Sequence, residues 1–298
     1  NFRKWRVIMS FSIALPLVYL FIGILIGKTP FRKIKGTFSV ILSRWIIPFV
    51  IVYNITTYRD GMQYVMLWMI ISMGLIILIG KRVDKDPVWN LCLCYLNIGW
   101  LGLPIVATLF GDEAAQVLIS AYVGSSLFGN SVGVGLLLNN SNFISGLKKT
   151  LKSPPVVALV IGMFGIPLGH FVADYFGEVY FFSKIAMGIL GMVILGIWLA
   201  EIKLNLNDLK KSIKPFLIKN ILFIGIVFLF IQIAAYFDLK LILENQKTLY
   251  LIPLLPPAAN IIVLETAYLK TGRSASMIAY GTIFSLIAIS IYILLVQI

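Results

Sequence analysis

The chain reads as long apolar runs separated by short polar breaks, near residues 7–27, 38–55, 62–80, 87–110, 114–138, 155–173, 179–200, 215–236, 249–269 and 276–296. Each run has about the length that an α-helix needs to cross the hydrocarbon core of a bilayer, roughly 20 residues. The pattern predicts an all-α integral membrane protein with ten transmembrane helices. The first run is long for a secretory leader, has no small-residue cleavage site behind it and is followed by Lys28, Arg32, Lys33 and Lys35, so it is expected to be retained as a helix.

Composition fits this picture. Of 298 residues 60% are hydrophobic and 12% charged, with a mean hydropathy of +0.97, which excludes a water-soluble globular domain. A net charge of +13 could point to nucleic acid, but the Lys and Arg residues sit almost entirely in the gaps between apolar runs. There they read as topology signals and contacts to the lipid bilayer, with no nucleic acid implied. The loops after the odd-numbered spans carry sixteen cations, among them Lys81, Arg82, Lys85, Lys148, Lys149, Lys152, Lys210, Lys211 and Lys214, against six on the other face. The first face is expected to be cytoplasmic, which puts a multi-pass protein in the plasma membrane with both termini outside. The cluster Arg3, Lys4 and Arg6 is the feature that opposes this orientation.

The polar stretch at 139–154 divides the spans five and five, so 1–138 and 155–298 are expected to be two repeats of opposite orientation joined by a cytoplasmic loop. The fourth span of each half carries helix breakers near its middle: Asn97-Ile-Gly99-Trp-Leu-Gly102-Leu-Pro104 in one, Pro253-Leu-Leu-Pro256-Pro257-Ala-Ala-Asn260 in the other. Pro104, Pro256 and Pro257 lack an amide N–H, and Gly99 and Gly102 lower the cost of non-helical dihedrals, so the chain is expected to unwind there. Unpaired backbone at that depth must be satisfied by protein or by a polar cavity, and the amides of Asn97 and Asn260 both donate and accept. Half-helix N-termini facing such a cavity would favour a carboxylate. Ordinary proline kinks with asparagines joining neighbouring helices are the alternative.

The stretch Asn97 to Pro104, with Leu109-Phe-Gly111-Asp-Glu113 behind it, resembles the asparagine-glycine-x-x-glycine-x-proline signature of the auxin efflux carrier family. Lys152-Ser-Pro-Pro155 looks like the opening of that family's second repeat, and Pro256 to Asn260 followed by Tyr268 looks like its ninth-span crossover. The resemblance covers most of the chain from about Pro16, and the chain is similar to the short, malate permease-like bacterial members. It implies two inverted five-helix repeats with broken, crossing fourth and ninth helices. Spans 1, 2, 6 and 7 would form a scaffold, and spans 3–5 and 8–10 a transport domain moving like an elevator. It further implies a homodimer and a small organic anion as substrate, held by Asn97 and Asn260. The family has a small residue where Glu265 stands, a departure that leaves a coupling role for Glu265 open.

Other residues carry weaker signals. Glu265 is the one acidic residue well inside a span, so it is a candidate for coupling to protons or, alternatively, a packing residue near Lys270. Arg44, Lys184 and Lys219 lie near enough to span ends to snorkel to headgroups, although Arg44 and Lys184 could attract an anion. Span 5 presents Ser125, Ser126, Gly129, Asn130, Ser131, Gly133 and Gly135, a face for close packing from which Asn130 and Ser125 could reach a substrate. His170 reads as exposed, and Cys92 and Cys94 as packing residues that form neither a disulfide nor a metal pair.

One histidine and two cysteines assemble no familiar zinc site, and no nucleophile-elbow or phosphate-loop motif is present. The sequence therefore predicts neither an enzyme nor a cofactor or metal. It predicts a secondary transporter (permease) for malate, another dicarboxylate or an auxin-like carboxylate, working by voltage-driven efflux or linked to protons. A sodium-coupled organic anion symporter or a cation/proton antiporter of similar broken-helix fold is the alternative, and the absence of an aspartate beside the breaks counts against the antiporter.

Overall fold

The computed structural model describes residues 18–57, 60–137, 154–201, 206–269 and 271–297. The N-terminal cluster Arg3, Lys4 and Arg6, most of the first apolar run, Lys203, Lys270 and the connecting loop with Lys148, Lys149 and Lys152 lie outside the described residues. Every named element among the described residues is a helix. Four helical runs, Met62–Val83, Val157–Ala200, Leu206–Tyr236 and Ser274–Val296, are long and apolar enough to cross a membrane. On Met62–Val83 the buried face is Val65, Trp68, Met69, Ser72, Met73, Ile76 and Ile77, while Tyr64, Leu67, Ile71, Leu75 and Leu78 are exposed at helical spacing. A helix whose outer face is as apolar as its inner one is built for lipid. The protein is a helical membrane protein by this measure.

The chain divides into two compact units, residues 1–59, 99–119 and 157–203 in the first and 60–98, 120–156 and 204–298 in the second. In the first unit α1 (Val18–Gly27) is followed by a 3-10 turn, Pro30–Lys33, capped by the Thr29 hydroxyl. Next come α2 (Ile34–Ile41), a π-helical turn (Leu42–Ile46) and α3 (Ile47–Thr56). The later segments supply α6 (Leu103–Leu109), the start of α7 (Gly111–Leu137), α8 (Pro154–Gly165) and α9 (Gly169–Ala200). A Cβ on Gly23 would stand 2.9 Å from the Gly196 Cα, so α1 and α9 cross with their backbones nearly touching. Tyr53 of α3 stacks on Tyr180 of α9 at 4.0 Å, and the Tyr180 hydroxyl donates to Asn54 Oδ1 at 3.1 Å. At the far end of α9, Lys35 pairs with Glu201.

The sequence predicts separate spans at 155–173 and 179–200, parted by the charged residues Asp174 and Glu178. The helix instead breaks at Ile166–Leu168 and runs unbroken through both acidic residues. Pro167 explains this, because it removes a backbone donor, whereas Asp and Glu are ordinary helix residues whose charge alone ends nothing.

The second unit holds α4 (Met62–Val83), α5 (Pro87–Cys94), most of α7, α10 (Leu206–Tyr236), α11 (Lys240–Glu244), α12 (Gln246–Leu251), α13 (Asn260–Leu269) and α14 (Ser274–Gln297). α10 packs along α14, with Phe216 against Phe284 at 5.5 Å, and against α4 through Trp68 stacked on Phe230 at 4.9 Å. Gly124 lets α7 rest on the backbone of α4, since a Cβ there would lie 2.4 Å from the Met66 carbonyl. Cys92 and Cys94 are buried and free.

Candidate functional site

Two helices of the second unit stop short and cross. α5 ends at Cys94, and the chain leaves the helix through extended Tyr95 (φ −91°, ψ 103°), Leu96 and Asn97. A 3-10 turn, Ile252–Leu254, ends α12, and Leu255 is extended (φ −66°, ψ 146°) before Pro256 and Pro257 lead to α13. The segments meet in one antiparallel bridge between Leu96 and Pro257. The Asn97 N–H donates to the Pro256 carbonyl at 2.8 Å, and the Ala258 N–H to the Tyr95 carbonyl at 2.8 Å. These bonds flank the bridged pair and do not pass through it, so Pro257 sits where its missing N–H costs no hydrogen bond. The Ile98 N–H turns back to the Leu96 carbonyl at 2.9 Å, closing a three-residue turn around Asn97. Protein thus satisfies the backbone at the break, as an apolar interior requires.

The break lies upstream of the residues expected to cause it. Gly99 and Gly102 belong to a π-helical turn, Ile98–Gly102, and Pro104 occupies the first turn of α6. This corrects the expectation that the chain unwinds from Gly99 to Pro104. Proline at a helix start loses only an N–H that has no partner there, and the wider π turn before it relieves the clash with the preceding carbonyls. Pro256 and Pro257 do lie in the unwound stretch.

Asn97 is 4% exposed, and its Nδ2 is buried with no hydrogen-bond partner among the described residues. Asn260 opens α13 half-buried and donates from Nδ2 to the Tyr95 hydroxyl at 3.3 Å. Tyr95 fits because position 129 is glycine: a Cβ on Gly129 would stand 2.6 Å from its ring. The crossing therefore brings the Asn97 break against Pro256–Ala258 and ties Asn260 to the first break through Tyr95. Ser125 is buried but its hydroxyl donates to the Tyr122 carbonyl at 2.9 Å, back along its own helix. Asn130 lies in α7, its side chain outside the described residues.

Glu265, midway along α13, is fully buried. Its Oε1 accepts from the Thr271 hydroxyl at 2.5 Å and the Arg273 N–H at 2.7 Å, and its Oε2 from the Ser274 N–H at 2.8 Å. The Arg273 guanidinium bridges on to Asp86 at 3.1 Å, and Asp86 Oδ1 caps α5 by accepting from the Val88 N–H at 3.3 Å. Glu265 thus caps the start of α14.

Lys219, expected to reach headgroups, does otherwise. Lys219 is 1% exposed, and its ammonium donates to the Leu255 carbonyl at the second break, with the Phe216 ring 4.7 Å away. Distance from a span end does not decide this, because the turn after α12 leaves a carbonyl without a helical donor and only an inward side chain reaches it. The signal in the sequence is the adjacent polar pair Lys219-Asn220, set opposite the exposed stripe Leu217, Ile221, Ile224 and Phe228. Tyr95, also missed, has no such signal. Lys184, in the first unit, pairs with Asp112 and lies 4.8 Å from the Tyr180 ring, at a cavity of about 440 Å³ shared with Pro104 and Thr108. Arg44 and His170 are exposed.

Among the described residues no three His, Cys, Asp or Glu side chains are grouped to hold a metal ion. No protein-family model matches the chain, and no curated protein is significantly similar to it.

Proposed function

We propose that the protein is a secondary transporter, a permease that moves a small organic anion such as malate, another dicarboxylate or an auxin-like carboxylate across the membrane by elevator-type alternating access. The observation that carries the reading is the crossing itself. Two helices interrupted in an apolar setting, bonded backbone to backbone, leave the buried Asn97 amide with unspent donors. Buried polar groups without partners are rare and call for an explanation, and a donor amide fits an acceptor-only ligand such as a carboxylate. The resemblance of both breaks to the auxin efflux carriers supports the same reading, with spans 3–5 and 8–10 as the moving domain and a homodimer as the assembly.

The energy source we favour is the membrane potential. A negative interior drives an anion outward by roughly 2.3 kcal/mol per charge per 100 mV with no coupled ion. The geometry of Glu265 agrees with this choice over proton coupling, because its oxygens are occupied in capping α14.

Thermal stabilisation of the purified protein by malate, malonate, succinate and indole-acetate tests the proposal. A ligand at 100 times its Kd adds about 2.7 kcal/mol, and the shift should vanish in Asn97→Ala and Asn260→Ala. Failure of every acid across pH to stabilise the wild type overturns the reading.

A further inference from the structure

Lys219 is a buried lysine with no ion-pair partner among the described residues. Its ammonium makes one hydrogen bond, to the Leu255 carbonyl, and no carboxylate among the described residues lies within ion-pair distance of it. An ammonium carries three donors and no acceptor, so two remain unspent. The neighbouring carbonyl, Pro256, is taken by the backbone N–H of Asn97, whose Nδ2 is also buried and unspent. The Lys219 ammonium and the Asn97 backbone N–H thus engage the consecutive carbonyls of Leu255 and Pro256 at the second break. The acidic groups of the second unit nearest in sequence to the breaks are engaged elsewhere, Glu265 with Thr271, Arg273 and Ser274 and Asp86 with Arg273. What the crossing presents is an excess of donors, including a buried lysine that a carboxylate beside it would hold in its charged form.

We propose that Lys219 sets the charge of the cargo: its ammonium balances one carboxylate of the substrate at the crossing. This rests on the carrier reading above and deepens it. Direct contact is not required, because a charge in a low-dielectric interior acts over several ångströms. The loaded site then carries no net charge with a monocarboxylate and one negative charge with a dicarboxylate. Lys219 is thus a specificity-determining residue, and the carbonyl it caps supplies its position.

The test compares wild type, Lys219→Arg and Lys219→Met in the full-length protein. The ligands are whichever of malate, malonate, succinate and indole-acetate stabilises the wild type, and the corresponding amide. Removing one member of a buried charge pair weakens binding by roughly 30-fold or more, so Lys219→Met should lose the acid by that factor while its affinity for the amide is unchanged. Lys219→Arg should keep the acid within a few-fold. Equal weakening of acid and amide by both variants, or undiminished acid binding by a folded Lys219→Met, overturns the role of Lys219 and leaves the carrier reading standing. No acid binding by the wild type overturns both. A second measurement needs no variant: in wild-type proteoliposomes with acid on both sides, exchange of indole-acetate should not change when a valinomycin-clamped potential of about 100 mV is imposed, whereas exchange of malate should. Exchange of the monocarboxylate that varies with voltage as steeply as that of the dicarboxylate overturns the proposal.

Discussion

Around the first break, Tyr95 to Asn97, the backbone is held by backbone bonds, and Asn97 Nδ2 is buried with no partner among the described residues. Around the second, Leu255 to Asn260, side chains do much of the holding: Lys219 caps Leu255, Asn260 reaches the Tyr95 hydroxyl, and Glu265 closes the far end of α13 onto α14. The two breaks look equivalent in sequence and are unequal in structure. The second behaves as a fixed frame, and the first carries the group free to answer a ligand.

Breaking the frame gives the largest expected effect. Glu265→Ala orphans two backbone N–H groups and the Thr271 hydroxyl, and each buried donor left without a partner costs about 1–3 kcal/mol. Asp86→Ala, which removes the half-exposed cap of α5, should cost only about 1 kcal/mol. Melting of the two variants in one detergent separates them, and equal losses would refute the asymmetry. Next is Gly129→Ala, whose Cβ meets the Tyr95 ring and should cost about 1–3 kcal/mol by overpacking, with Asn260 losing its partner as the ring moves.

The finest comparison is between the asparagines themselves. Asn260→Ala and Tyr95→Phe both break the neutral hydrogen bond between them and should lower ligand-free stability by at least about 1 kcal/mol. Asn97→Ala removes a side-chain donor that has no partner among the described residues, so its ligand-free stability should be close to wild type even though carboxylate stabilisation disappears. A ligand-free loss for Asn97→Ala as large as that for Asn260→Ala would show that the first break is structural as well.

Part of this was legible beforehand. Met62–Val83 and Ser274–Val296 follow from hydropathy and length alone, whereas Leu206–Tyr236 begins nine residues before the expected span, through the charged stretch Asp208 to Lys214 that reads as loop; Pro256-Pro257 marks the second break because two adjacent residues without N–H groups cannot continue a helix. The first break was misplaced, since Gly99, Gly102 and Pro104 form a π turn and a helix start in place of an unwound stretch. Lys184 and Lys219 stand at similar depth in their expected spans, yet one meets an aspartate and the other a bare carbonyl. The Lys219-Asn220 pair marks an inward polar face, but neither partner can be named locally, because the partners lie 72 and 36 residues away.

The sequence by itself determined the solvent of this protein and the composition of its breaks, because hydropathy, helix length and proline chemistry act over single segments. Only the tertiary structure decided which residues unwind, which carbonyl receives the buried lysine and which asparagine stays unspent. Those outcomes depend on donors and acceptors distant in the chain meeting within hydrogen-bond distance, and the low-dielectric interior makes each pairing, or its lack, energetically large.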